Sequence, residues 1–328
     1  MTVLEVIQKS AEFLTKRGVE SPRLQAELLL AHVLKLPRMK LYLNFERGLT
    51  PTELDAARAL VKRRSQREPY QHIVGSTSFC GLEIAVSRQV LVPRPETELL
   101  AEAGWEFLGK HSAFSIQHST SEEQNSANSE RRPPARCVDE LNETKPAVPE
   151  AGAPTALDFG TGSGCIAIAL AVKCPRARVL GVDASAEALA LAQQNAERNG
   201  AAERIQFAHG NGFAAVPSGQ RFDLIISNPP YIASAEIATL SPEVRDFDPH
   251  AALDGGDDGL DFYRLLAARA ADFLAPAGKL MVEFGDGQAD ALKKIFEMQM
   301  WIVEAVRADY TQRPRLLIAR RAMEARAD

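Results

Sequence analysis

Thr155-Ala156-Leu157-Asp158-Phe159-Gly160-Thr161-Gly162-Ser163-Gly164 carries the clearest architectural signal in the 328-residue chain. Its first five residues suit a buried strand, and the apolar run that follows, Cys165-Ile166-Ala167-Ile168-Ala169-Leu170, suits a helix. A glycine-rich turn at a strand-to-helix junction offers bare backbone and a helix N-terminus, a surface that fits a nucleotide-like ligand. The spacing narrows the choice. A dinucleotide fingerprint is GxGxxG, whereas these glycines alternate at 160, 162 and 164 behind an acidic residue. An acid beside the loop suits a ligand with an ammonium group and repels a pyrophosphate. Alone, the segment can also be a tight turn with no ligand.

Working outward, strand and helix patterns alternate over 155–328. Strands are expected at 155–159, 178–183, near 204–208, at 221–227 and at 278–284. Helices are expected at 165–173, from Ser185 to an Asn199-Gly200 stop, at about 258–274 and at 287–299. Two further β runs, 301–308 and 314–320, are close enough to form a hairpin. Such alternation predicts an α/β fold, Rossmann-like, with a mostly parallel seven-stranded sheet covered on both faces and a C-terminal β-hairpin.

Asp183 ends the second strand. A carboxylate there can accept hydrogen bonds from two ribose hydroxyls, or it can cap the next helix. The third strand ends at His209-Gly210-Asn211-Gly212-Phe213, where an adenine edge is expected, with the Asn211 carbonyl accepting from its amine. The fourth, Phe222-Asp223-Leu224-Ile225-Ile226-Ser227, runs into Asn228-Pro229-Pro230-Tyr231. Two prolines have no N–H to donate and fix φ, so the strand stops and carbonyls are left outside the ladder. With an Asn acceptor and an aromatic ring beside them, those carbonyls suit a planar NH₂ group. By itself the tetrapeptide is also an ordinary strand end.

Alternating glycines after an acid resemble S-adenosylmethionine-dependent methyltransferases. Adding the ribose acid, the adenine loop and Asn-Pro-Pro-Tyr narrows the resemblance to the branch that methylates planar amino groups. Adenine, cytosine and an amide all remain open on those four features. The match tightens with residues 71–75, QHIVG, with 90–100, VLVPRPETELL, and with 243–256, EVRDFDPHAALDGG. Together with a small helical N-terminal domain, these resemble the peptide chain release factor glutamine-N5 methyltransferases, the PrmC/HemK family. The resemblance spans the chain except about 109–154. It implies S-adenosyl-L-methionine as cofactor and the glutamine of a release factor Gly-Gly-Gln motif as substrate. It further implies that Gly160, Thr161, Gly162, Ser163, Gly164, Asp183, Gly212 and Asn228 contact the cofactor. Asn228, Pro229, Pro230 and Tyr231 would hold the glutamine, with Asn228, Pro229 and Tyr231 catalytic. Phe159 and Asn211 depart from the pattern, which has a small aliphatic residue and an Asp there.

The remainder divides into a helical recognition domain at 1–75, a β-hairpin and linker helix at 76–108, and a low-complexity insertion at 109–154. Val3, Ile7, Ala11 and Leu14 mark one helix, and Thr50-Pro51 with Glu53 opens another. Ser21-Pro22 reads as an N-cap, with Leu24, Leu28, Ala31 and His32 on the buried face of its helix. The linker helix is expected to end near Leu108, and its rigid approach could bring Arg94 and Glu98 to a neighbouring active site. The insertion is poor in apolar residues, so it is expected to be disordered, and His111, His118 and Cys137 within it are not expected to serve catalysis.

Composition excludes several classes. The chain is 45% hydrophobic with a net charge of −5, divided as +5 over 1–75 and −10 over the rest. That balance disfavours a DNA adenine methyltransferase, which needs a basic face. A glutamine methyltransferase acting on a ribosomal protein and a silent cofactor-binding module also accommodate the motifs, the first less well than a release factor enzyme and the second poorly. The four cysteines and six histidines show no metal-ligand spacing. No apolar run is long enough to span a bilayer. A cytoplasmic, monomeric enzyme with a protein substrate, no metal, no membrane and no direct nucleic-acid target is expected.

Overall fold

The computed structural model describes residues 1–123 and 152–322. By packing, the chain divides into two compact units: Met1–Arg94 with Pro230–Phe262, and Pro95–Pro229 with Tyr263–Asp328. These units cut across the expected segments, dividing the 76–108 stretch after Arg94 and taking Pro230–Phe262 out of the 155–328 stretch. The segment that follows the Pro-Pro pair packs with the N-terminal residues rather than with the sheet that precedes it.

In the first unit, helices α1 (Val3–Lys16), α2 (Pro22–Leu34), α3 (Arg38–Tyr42), α4 (Pro51–Ser65) and α5 (Tyr70–Val74) precede a hairpin of β1 (Ser76–Phe79) and β2 (Leu82–Ala85). Capping boxes start α1 and α4: the Thr2 and Thr50 hydroxyls accept from the N–H groups of Glu5 and Glu53, whose carboxylates accept in return. Two apolar clusters hold the helices, one around Val3, Ile7, Leu30 and Leu41, the other around Leu14, Leu29, Val61 and Ile73.

The start and face of α2 differ from expectation. Ser21 adopts φ 47° and makes no side-chain cap. Leu24 and His32 are exposed and Leu28 is half-buried, while Ala31, as expected, is buried together with Ala26, Leu29 and Leu30. Leu28-Leu29-Leu30 satisfies either of two helical stripes, and tertiary packing selects the one the spacing did not favour. That face also buries Glu27, whose carboxylate accepts from Arg23, Arg38 and Tyr42.

Residues 230–262 carry α9, a single turn at Pro242–Arg245. Glu243 on it accepts from Arg64 Nη2 at 2.9 Å and from both Nε and Nη2 of Arg67 at 2.7 and 2.6 Å. Burial works to raise the Glu243 carboxyl, but these guanidinium bonds outweigh it and leave the group below its ordinary value. Nearby, Arg94 donates to Asp248 at 2.7 Å.

The second unit starts with α6 (Pro95–Glu123), which continues past Leu108, where the sequence suggested a stop. The insertion is therefore helical over 109–123, and its residues 124–151 lie outside the described ones, Cys137 among them. Then follow β3 (Thr155–Phe159), α7 (Cys165–Lys173), β4 (Arg178–Asp183), α8 (Ala186–Arg198), β5 (Ile205–His209) and β6 (Phe222–Ser227). Helix α10 (Asp261–Arg269), β7 (Leu274–Glu283), α11 (Ala289–Met298), β8 (Trp301–Ala308) and β9 (Pro314–Arg321) complete the chain. The seven strands lie in the order β5-β4-β3-β6-β7-β9-β8. All pairings from β5 to β7 are parallel, and β9 is antiparallel to both neighbours. This is the mostly parallel sheet and terminal hairpin the alternation predicts.

Helix α6 lies on the sheet by virtue of one missing side chain. A Cβ on Gly104 would stand 2.9 Å from Leu170 Cδ2 and 3.0 Å from Ile226 Cδ1. The absence of a side chain lets the helix backbone approach α7 and β6 closely. Among the described residues no helix is long and apolar enough to cross a membrane.

Removing Glu243 strands the two guanidiniums. Glu243→Ala is expected to cost roughly 2–3 kcal/mol, below the about 3–5 of a fully buried pair. Thermal unfolding should show a lower midpoint for the variant, and an unchanged midpoint would contradict a structural role for the pairing.

Candidate functional site

The direction of strand order reverses beside β3, between β4 and β6, and ligands of open parallel sheets collect outside the carboxyl ends at such a point. The sequence puts a chemical motif at each of four carboxyl ends there: the glycine loop after β3, Asp183 at β4, Gly212 after β5 and Asn228 after β6. All four belong to the second unit.

The glycine loop has a conformation only glycine takes cheaply. Gly160, Gly162 and Gly164 have φ of 73°, 53° and 78°. Nothing lies within 4 Å of where a Cβ would stand on Gly160 or Gly162, so their backbone fronts open space. Gly164 is also steric, with Ala192 Cβ 3.0 Å from its missing side chain. The Thr161 and Ser163 side chains are buried, and Asn195 Nδ2 donates to the Ser163 carbonyl at 2.9 Å.

The two acids brace this loop. Asp183 Oδ2 accepts from Gly162 N at 2.8 Å and its Oδ1 from Ser185 N at 2.9 Å. Asp183 thus caps the turn into α8 and reaches the glycine loop at once. Each oxygen keeps a lone pair for a further donor. Asp158, the acid ahead of the loop, is fully buried, with Oδ2 accepting from Thr161 Oγ1 at 2.6 Å and Ala167 N at 3.1 Å. Its Oδ1 is buried without a partner. Burial lifts the carboxyl to about 7 against the lowering effect of those two bonds, and the Asp183 charge adds to the rise.

Gly212, φ 58°, sits where a Cβ would be 2.9 Å from Phe159 Cζ. Phe159 therefore fills space that an aliphatic residue would leave. Its ring meets Phe213 at 4.8 Å, and Phe213 stacks on Phe273 at 4.7 Å. Asn211 is exposed just before this aromatic row.

At β6, the buried Ser227 hydroxyl donates to the Phe159 carbonyl at 2.6 Å, which pins the start of the tetrapeptide to the start of the glycine loop. Asn228 Nδ2 donates to Thr97 Oγ1 at 3.0 Å, and Asn228 Oδ1 is buried with no partner. An unmet buried acceptor costs about 1–3 kcal/mol, so it calls for an explanation. Pro229 ends the second unit, whereas Pro230 and Tyr231 belong to the first. The sequence alone gives Thr97 no role, although it lies inside the quoted PRPETE stretch. Arg94 is engaged with Asp248.

Three comparisons place the chain. Residues 5–75 match the PrmC N-terminal domain, and residues 146–242 match the methyltransferase small domain. The release factor glutamine methyltransferase of Geobacter sulfurreducens is 43% identical over 295 residues, covering 90% of this chain and 88% of that protein. The proteins of the same name from Chlorobaculum tepidum and Rhodospirillum rubrum are 39% and 40% identical, covering 88% and 96% of this chain and 87% and 84% of theirs. A methyltransferase structure from Pyrococcus furiosus overlays with a TM-score of 0.39 at 24% identity, covering 50% of this chain and 73% of that one.

The packing around Gly212 and Asp158 is open to test. Gly212→Ala should destabilise by roughly 1–3 kcal/mol through strain and the clash with Phe159, and Phe159→Leu should recover part of the loss; equal melting in all three proteins would refute the clash. The raised Asp158 carboxyl means that the fold holds this proton more tightly than the unfolded chain does. Stability should therefore fall as pH rises from about 4 to about 7 and then level off, as far as this group is concerned. Asp158→Asn should flatten that slope in melts taken across the range, and parallel slopes would show that the proton is not retained.

Proposed function

Since the chain belongs to the release factor glutamine methyltransferase family, we propose that Asn228, Pro229, Pro230 and Tyr231 form the clamp that presents a release factor's Gly-Gly-Gln glutamine for methylation. The enzyme is an S-adenosylmethionine-dependent protein-(glutamine-N5) methyltransferase. One observation carries the proposed role of the clamp: the Asn228 carbonyl oxygen, buried and without a partner. A side-chain amide of glutamine brings an NH₂ group whose two hydrogens need acceptors, and that oxygen is an acceptor in need of a hydrogen.

The chemistry asked of the chain is modest. Bound S-adenosylmethionine supplies a methyl group made electrophilic by its sulfonium. The glutamine nitrogen is a poor nucleophile because its lone pair is delocalised into the carbonyl. Hydrogen bonds from both amide hydrogens, to Asn228 Oδ1 and the Pro229 carbonyl, favour a more pyramidal and more nucleophilic nitrogen. The Tyr231 ring, three residues on, would pack on the amide plane. As the N–CH₃ bond forms the S–CH₃ bond would break to leave S-adenosylhomocysteine, and the methylated nitrogen, cationic and strongly acidic, would lose its extra proton to water, so positioning and polarisation suffice with no strong base.

The residues present suit the cofactor. The bare backbone at Gly160 and Gly162 would take the amino-acid portion together with Thr161, Ser163 and Gly164. The free lone pairs of Asp183 suit ribose hydroxyls, and the space before Gly212 suits the adenine. Asn228 would border the same ligand.

For the helical region, we propose docking of the protein substrate. Its support is a groove of about 750 Å³ between α1 and α4, lined by Lys9, Arg17, Arg58 and Lys62 beside Phe13 and Val61, with no acidic residue in its wall. A protein substrate, no direct nucleic-acid target, a monomeric state and a cytoplasmic setting complete the proposal.

Asn228→Ala should abolish methyl transfer to an intact release factor while S-adenosylmethionine still binds within about threefold of the parent, because the lost acceptor faces the amide. Intact-mass measurement and calorimetry separate the two effects. Loss of cofactor affinity alone would show that the residue serves the cofactor instead.

A further inference from the structure

We infer that Thr97 is a positioning residue for the transfer, setting the Asn228 side-chain amide with its oxygen toward the substrate; this rests on the role proposed above for the tetrapeptide. An asparagine amide presents an oxygen on one side and an NH₂ on the other, and the torsion that exchanges them is broad and two-fold. Only one orientation serves a substrate that is itself an NH₂ donor. With the amide turned over, donor would face donor.

The Thr97 hydroxyl can accept from the NH₂ or donate to the oxygen, and in this structure it accepts. Its Oγ1 accepts from Asn228 Nδ2 at 3.0 Å, which commits the NH₂ to the protein side and leaves Oδ1 as the unmet acceptor. Thr97 is itself firmly set. It is 2% exposed and lies in the first turn of α6. That helix is seated on the sheet by the close approach at Gly104 to Leu170 and Ile226, and Ile226 lies two residues before Asn228. The Ser227 bond to Phe159 then fixes the other side of the same strand end. The orientation of the amide is thus carried by a helix and a strand that are packed on each other, rather than by a loop.

A valine keeps the shape of Thr97 and removes the acceptor; a serine keeps the acceptor and removes a methyl. With an intact release factor as substrate, Thr97→Val should lower kcat by about tenfold or more, with KM for the cofactor and its dissociation constant within about twofold of the parent. Thr97→Ser should stay within about threefold of the parent in kcat. A parental kcat in Thr97→Val, or equal damage in Thr97→Ser, would overturn the inference, the latter by showing that the methyl group matters and not the hydroxyl. Inactivity of the parent protein itself on release factor would instead count against the proposed function. A second readout decides Thr97 independently of turnover. In protein labelled with ¹⁵N-asparagine, the Asn228 side-chain NH₂ signal, identified by its loss in Asn228→Ala, should move in Thr97→Val and hold in Thr97→Ser. An unmoved signal in Thr97→Val would show that the hydrogen bond does not form.

Discussion

One short hydrogen bond joins the two halves of the chemistry. The Ser227 hydroxyl donates to the Phe159 carbonyl at 2.6 Å, at the carboxyl ends of two adjacent parallel strands. Phe159 is the residue before the glycine loop, and Ser227 is the residue before the tetrapeptide. Both ends are buried, so the bond forms away from competing water and holds its geometry. The glycine loop and Asn228 are therefore set a fixed distance apart by β3 and β6. Transfer of a methyl group between two bound molecules depends on that spacing more than on any acid or base.

The acids of the site serve the same end. Asp183 draws Gly162 and Ser185 together, so β4 fixes the glycine loop from one side. Asp158 fixes it from beneath through Thr161 and Ala167, at the cost of a buried carboxyl that resists ionisation. Asn228 is held by Thr97 and left with an unmet oxygen. Two unpartnered buried oxygens, on Asp158 and Asn228, thus stand at the ends of β3 and β6. Sites that must bind a polar group often leave such atoms unmet in the absence of the ligand.

The architecture was legible because it rests on local pattern. Strand-helix alternation, the glycines at 160, 162 and 164, and the strand-stopping prolines are all written within a few residues of their effect. The glycine torsions and the sheet order agree with them. What escaped depends on distance in sequence. Thr97 meets Asn228 across 131 residues. Within PRPETE the charged Arg94 and Glu98 stand out, whereas a threonine in a first helical turn looks unremarkable. The complete burial of Asp158 escaped because nothing in the chain shows how deep a strand end lies. His32 lost its expected place in the core because three consecutive leucines permit two buried faces. The Arg64 and Arg67 pairing with Glu243, which gathers 230–262 onto the helical unit, spans more than half the chain and leaves no periodic trace.

Whether the unmet oxygen of Asn228 is the acceptor for a glutamine side-chain NH₂ decides the mechanism. The structure of the protein with S-adenosylhomocysteine and a release factor bearing its Gly-Gly-Gln motif tests it most directly. The glutamine nitrogen is expected within about 3 Å of Asn228 Oδ1, with Asn228 Nδ2 still on Thr97. A glutamine nitrogen bonded elsewhere, with Asn228 Oδ1 unpartnered as before, would contradict it.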